Sequence, residues 1–534
     1  MINMKKVISF LIVFLFVFLC SCSLPKEIEE SVNLDLDFLQ DKTITNIDNN
    51  DRYILIRSVA YVNEEEYYNA SSEISYYYIW DIERSRLKAS FEQRESYDDD
   101  NYISDIEINN ENEITLYTYN NPKQSQVYDL SFKLIGSCND SYVTKEEKLN
   151  DAMNSSDLIN ADRFARYGNF ATDSFYISNA VSVFLDDPDN VYITENDNTF
   201  NVIATNEKRI LTSSYDENET SITYRITDYD SLVNREIKVE YGKYSYPGVS
   251  SMSEKYSAIS VCDETGKSSA ITVINNSCGI VSTAEITKIA SADIDSKIIS
   301  ILEEIENKYG IEAELAKEYD ENSILNEYFY YNDYSKAQVI LAMYDFDKCL
   351  STFPAELYSE IISSETGFDK LKFYFVGSFD AEKNSNDISA YCSNFNGELF
   401  IVYSVNSFTY STFCHELMHA MEYRINDNVP DFYDEWDQLN PDGFEYTYFD
   451  NEKIPFYENE EYQQYFARDY GTNNQLEDRA TVFEEVCSSD FINEESPWWA
   501  ERMPLSEKAS YLKTAIRRSY PSLSNIWEKY DNLI

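Results

Sequence analysis

Residues 411–425 read STFCHELMHAMEYRI and hold the only two histidines of a 534-residue chain, His415 and His419. They stand four positions apart, with Glu416 directly after the first. On an α-helix, positions i and i+4 project from the same face, so these two imidazoles converge on one ion. Neutral imidazole nitrogen suits zinc. Glu416 sits one step round the helix, beside the ion rather than on it. There it can take a proton from water activated at the metal and later return one to a leaving group. Such an ion brings the pKa of its water from roughly 15.7 to about 7. Each letter of H-E-x-x-H on a helix therefore has a mechanical reason. Two histidines scattered at random would adopt this spacing, with the glutamate, on the order of once in a few thousand chains, far below the motif's usual chance rate. The pair reads as a metal site.

A catalytic zinc takes three protein ligands and keeps one position open. With no third histidine in the chain, the remaining ligand has to be a carboxylate. Many acids follow, and helical context chooses among them. QLEDRATVFEEV (475–486) offers Glu477 followed at helical spacing by Ala480 and Phe483, with Asp478 and Glu484 on the same stretch. Between the motif and this helix lies an acidic, aromatic segment long enough to line a cleft.

Around the motif the text is mixed α/β. IDSKIISILEEIENKYGI (294–311) places Ile298, Ile301, Leu302 and Ile305 at helical spacing. FPAELYSEIIS (353–363) and LSEKASYLKTAIRRSY (505–520) read as helices, and KLKFYFVG (370–377) and ELFIVYSV (398–405) read as strands. Strand, turn and motif helix follow one another directly. Residues 290–534 are thus expected to form one α+β domain.

Residues 35–289 have a different grammar. YILIRSVAYV, EISYYYIWDI, EITLYTY, SITYRITDY and YSAISV are rich in β-branched and aromatic residues and are separated by Asn, Asp, Gly and Ser. A loose unit recurs: a strand, an Asp, a short turn, another strand. YIWDIERSRLKASF, QVYDLSFKLIGSC and YRITDYDSLVNREIKV are examples. That recurrence predicts an all-β, propeller-like domain over 35–289, interrupted by a helical-looking run at 145–167. Cys262 and Cys278 flank a predicted hairpin and are a candidate bridge.

The N-terminus MINMKKVISFLIVFLFVFLCSCS has two lysines, a short apolar run and small residues, which is the pattern of an export signal rather than a spanning helix. Leu19-Cys20-Ser21-Cys22 resembles a bacterial lipobox. By that resemblance residues 1–21 are a lipoprotein signal peptide and Cys22 carries the lipid anchor to the membrane. Residues 22–34 form a tether, and the rest lies outside the cytoplasm. The net charge of −53 excludes nucleic acid as a partner, because a binder must neutralise phosphates with Lys and Arg.

Through these residues, 290–534 resembles the gluzincin metallopeptidases, in which HExxH is completed by a Glu on a later helix. It is similar to the zinc-peptidase lipoproteins of low-GC bacteria and, more distantly, to the catalytic domain of anthrax lethal factor. The E-x-x-A-x-x-F pattern resembles the third-ligand helix of such families, which implies zinc held by His415, His419 and Glu477, a zincin-like fold, and Glu416 as general base. It implies hydrolysis of peptide bonds in a peptide or protein substrate. Where thermolysin-like members place a supporting Asp four residues after the ligand Glu, this chain has Thr481, so support is expected from Asp478 or Glu484. An oxyanion donor is expected among Tyr446, Tyr462, Tyr465, Tyr470 and Arg479. The alternative is a surface binding lipoprotein whose β domain holds the ligand and whose peptidase-like domain is a metal-stabilised scaffold.

Overall fold

The computed structural model describes residues 31–34, 42–59, 72–96, 103–118, 125–137, 164–166, 169–171, 175–177, 181–185, 189–195, 200–215, 220–263, 267–320, 323–362, 366–384, 388–447, 462–491 and 497–531. The expected signal peptide, Cys22, Cys138 and nearly all of the helical-looking run at 145–167 lie outside these residues. Among the described residues no helix is long and apolar enough to cross a membrane.

The chain divides into two compact units, 1–148 with 194–287, and 149–193 with 288–534. The stretch 149–193, assigned above to the all-β domain, instead belongs with the second unit. The reason is packing: Val181, Val183, Val191 and Ile193 are buried in the same core as the helices after 290. Alternating strand residues fit either body equally well on sequence, and only the partner decides.

The first unit is built of antiparallel sheets. One comprises Thr43–Asn49, Tyr53–Val59, Ser72–Asp81 and Arg86–Ser96, and another Ile103–Ile108, Ile114–Thr118, Gln126–Tyr128 and Leu134–Ser137. A third runs Asn201–Thr205, Arg209–Tyr215, Ser221–Asp228, Val233–Glu240 and Ile280–Thr283. In the fourth, Ser31–Asn33 from the start of the chain pairs with Ser268–Asn275, beside Tyr256–Cys262 and Tyr246–Met252. The recurring Asp occupies one place in three of them. Asp81 and Asp228 end the third strand and Asp129 directly follows it, and each carboxylate accepts a backbone N–H from the turn, of Arg84, Ser231 and Ser131 respectively. These Asx turns fix the hairpin to the fourth strand.

Period-two alternation explains how the sheets stack. Ile54, Ile56, Tyr78 and Trp80 pack with Tyr256, Ala258 and Val273, whereas Tyr53, Leu55, Tyr77 and Ile79 pack with Ile106, Ile114 and Leu116. The sheet beginning at Thr43 is therefore covered on both faces, which is why Tyr53–Val59 is buried throughout. Cys262 and Cys278 are both free thiols. Cys262 pairs with Ser268 at the turn of the hairpin, and Cys278 lies beyond Asn275 at its open end, so they cannot bridge.

In the second unit, α1 (Ile294–Tyr309) buries the predicted stripe of Ile298, Ile301, Leu302 and Ile305, and ends at Gly310, whose φ of 68° closes the helix. Helix α2 (Lys336–Ser351) starts from a capping box between Ser335 and Gln338. Strands β1 (Glu312–Leu315), β2 (Lys370–Val376) and β4 (Glu398–Ser404) run parallel, and β3 (Ala390–Phe395) is antiparallel to β4 at the sheet edge. Asn396 and Gly397, both at positive φ, make the tight two-residue turn between β3 and β4. Leu371, Phe373, Phe375, Leu399, Ile401 and Tyr403 face the main helical core, and Tyr374, Val376, Phe400 and Val402 face a smaller cluster with Tyr330 and Tyr391. Both predicted strands, 370–377 and 398–405, are found as β2 and β4.

Candidate metal centre

The motif forms helix α3 (Tyr410–Asn428), capped where Thr409 accepts from the backbone N–H of Thr412. Phe413, Leu417 and Met421 turn into the core, which aims the opposite residues outward from it. Helix α4 (Gln475–Phe491) starts at Asn474, whose side-chain oxygen accepts from the N–H groups of Leu476 and Glu477 at 2.9 and 3.0 Å. Its residues Val482, Phe483 and Val486 enter the same core as α3. That packing brings the first turn of α4 against the histidines.

Oε2 of Glu477 lies 2.9 Å from Nε2 of His415 and 3.4 Å from Nε2 of His419. The three groups offer ligand atoms that all lie within 4.8 Å of one another. A tetrahedral ion with bonds of about 2.0–2.2 Å places its ligands roughly 3.3–3.6 Å apart, so the spacing fits. Electrostatics agrees. Burial lowers the pKa of His415, but hydrogen bonds to Glu477 and Glu484 outweigh it and lift it to about 10. Burial works to raise the Glu477 carboxyl, yet the two histidines hold it at about 2. The cluster favours positive charge at its centre. His415, His419 and Glu477 could hold a metal ion.

Glu416 is buried, and burial raises its pKa. Its Oε2 has no hydrogen-bond partner among the described residues. An unpaired buried carboxylate oxygen is costly, and a catalytic role is one reason a fold keeps one.

Behind His415, Glu484 takes the supporting place. Its Oε2 lies 3.2 Å from Nδ1 of His415, and it also accepts from the Ser411 hydroxyl and the Arg468 guanidinium. Seven residues separate Glu477 from Glu484, two helical turns, so both face α3. Asp478 points elsewhere: it accepts from Trp436 Nε1, the Tyr446 hydroxyl and Lys508 Nζ at 2.8, 3.0 and 2.7 Å. Thr481 donates back to the Asp478 carbonyl oxygen.

Of the five oxyanion candidates, four sit in other surroundings. Arg479 is fully buried against Glu422 and the rings of Phe432 and Tyr433. Tyr446 is committed to Asp478, and Tyr462 and Tyr465 pack with Phe444 and Phe466. Tyr470 lies with its ring 5.8 Å from that of His415 and is 43% exposed. Burial of its phenol, then the charges of Glu477 and Glu416, keep it protonated well above its ordinary range.

Two further residues, Ser411 and Arg468, both on the Glu484 carboxylate, were not legible as site residues. Burial, then the charges of Glu327, Glu416 and Glu477, raise the Tyr328 phenol, and its ring meets Tyr391 of β3 edge-on at 5.0 Å.

No family model and no curated protein matches the chain. Among solved structures it is similar to the β-propeller domain of the Trilobed protease from Pyrococcus furiosus, at 8% identity and a TM-score of 0.17, covering 46% of this chain and 85% of that one. It is similar to acylaminoacyl peptidase from Pyrococcus horikoshii, at 13% identity and a TM-score of 0.19, covering 44% of this chain and 45% of that one. For dipeptidyl peptidase 4 of Porphyromonas gingivalis the values are 12% and 0.13, covering 46% and 39%. The chain thus spans less than half the length of these two peptidases. At such TM-scores the likenesses carry no argument for this chain's activity.

Proposed function

We propose that the chain is a zinc metallopeptidase of the gluzincin type, with zinc held by His415, His419 and Glu477. The observation that carries this is the convergence of those three groups beside Glu416, a buried carboxylate with one oxygen left unpartnered. When bound, zinc polarises a carbonyl and acidifies water. Glu416 then takes the proton and delivers it to the leaving amine. Tyr470 donates to the oxygen that gains charge, and Glu484 holds His415 by Nδ1 so that Nε2 faces the ligand cluster. The stacked sheets of the first unit are read as blades of a propeller that restricts access or binds substrate. Cys22 is read as the lipid anchor that keeps the enzyme outside the cytoplasm.

The test is zinc content and cleavage of a broad peptide library by the purified chain, beside Glu416→Gln. Expected are one zinc per chain in both proteins and cleavage by the wild type alone. Stoichiometric zinc with no cleavage would favour a metal-stabilised binding protein.

A further inference from the structure

We propose that Arg468 is a positioning residue of this metal centre. It fixes His415 through Glu484, and the same side chain ties the segment bearing Tyr470 to the ligand helix. The inference rests on the zinc reading above.

The Glu484 side chain is only 4% exposed, and among the described residues its one Lys or Arg ion-pair partner is Arg468, which is 43% exposed. A buried carboxylate without a charged partner is costly. Ser411 donates its hydroxyl to this carboxylate, Nδ1 of His415 faces it, and the Arg468 guanidinium forms an ion pair with it. Held by Ser411 and Arg468, the Glu484 carboxylate faces Nδ1 of His415 at 3.2 Å, which turns Nε2 towards Glu477 and the ligand cluster. Arg468 therefore acts on a ligand that it does not touch.

The second half of the argument is the backbone. Arg468 is two residues before Tyr470 and starts the short 3-10 turn Asp469–Thr472. The Gly471 N–H donates to the Arg468 carbonyl at 3.1 Å. At Gly471 the turn presses on α4 so closely that a Cβ would meet Thr481 Oγ1 at 2.8 Å. The turn is thus seated on α4 at two points, Gly471 against Thr481 and Arg468 against Glu484. Loss of the second contact frees one end of the turn that holds Tyr470 beside His415. Metal orientation and placement of the tyrosine depend on one side chain.

The experiment uses the full chain as wild type, Arg468→Met and Arg468→Lys. Zinc affinity is measured by competition with a chromophoric chelator, and Co²⁺ is substituted to record its visible absorption. Arg468→Met is expected to bind zinc at least about 10-fold more weakly, with an altered Co²⁺ spectrum and a kcat that falls more than KM rises. Arg468→Lys, which keeps the charge, is expected to recover part of both. Wild-type affinity and spectrum in Arg468→Met would overturn the proposal alone. A wild-type chain that takes up neither metal would overturn the zinc reading and this proposal with it.

Discussion

Nδ1 of His415 lies 3.2 Å from Oε2 of Glu484, a residue seven positions beyond Glu477 on the same helix. The two acids of α4 therefore address opposite nitrogens of one imidazole, Glu477 the Nε2 side and Glu484 the Nδ1 side. Their substitutions should differ in kind. Glu477→Ala removes a ligand and is expected to abolish stoichiometric zinc. Glu484→Gln keeps the stoichiometry but weakens affinity roughly 10- to 100-fold, the usual effect of losing an outer partner. Metal analysis after dialysis, with chelator competition, separates the two. Full zinc in Glu477→Ala would remove it from the ligand set.

Tyr470 is the one tyrosine of the downstream candidates that touches the cluster, through its ring against His415. Tyr470→Phe is expected to lower kcat by about 10²–10³ with KM little changed, as for the loss of one oxyanion donor. Tyr446→Phe provides the contrast, because its hydroxyl is spent on Asp478. It should leave kcat nearly intact. Steady-state kinetics on one peptide decides, and equal effects of the two would refute the assignment.

The convergence of His415, His419 and Glu477 was legible because its chemistry is local: His415, Glu416 and His419 lie within one and a half turns of helix, and Glu477 stands in the first turn of another. The Asx turns at Asp81, Asp129 and Asp228 were legible for the same reason. What was not legible depends on tertiary contact. Glu484 rather than Asp478 supports His415 because helical phase turns Asp478 towards Trp436 and Lys508. Val181, Val183, Val191 and Ile193 fall in the strand-like stretch 35–289, but a strand's sequence does not say whose helices will cover it. Arg468 carries no motif, and only folding brings it to Glu484.

Lys508 and Asp478 form an ion pair with both side chains fully buried, roofed by Phe466 at 3.8 Å and joined by Trp436 and Tyr446. It locks α5 (Met503–Ser519) to α4 one residue from Glu477. Removing one partner strands the other charge, so Lys508→Met should destabilise the chain by about 3–5 kcal/mol. Adding Asp478→Asn should restore part of that loss, since the neutral amide no longer needs the ammonium. Urea unfolding of the two variants checks this. A Lys508→Met protein as stable as wild type would show that water or rearrangement solvates Asp478.

Asp48 joins three strands of the first unit. From Thr43–Asn49 its carboxylate accepts from the Ile108 N–H at 2.7 Å and the Ser251 hydroxyl at 2.9 Å. Burial raises its pKa from 3.8 to about 6, against the lowering effect of those hydrogen bonds. An acid raised on folding holds its proton in the native state after the unfolded chain has lost it. Its effect on stability is therefore most favourable below about pH 4, declines as pH rises to about 6, and is flat above. A rise of that size corresponds to up to about 3 kcal/mol, less for a group only partly screened from water. Asp48→Asn removes this dependence and should be the more stable protein at pH 7, with the advantage vanishing by pH 4. Because other groups titrate in the same range, the measurement is the difference in urea midpoint between wild type and variant from pH 4 to 7.5. A difference that stays constant across that range would place the Asp48 pKa near its ordinary value.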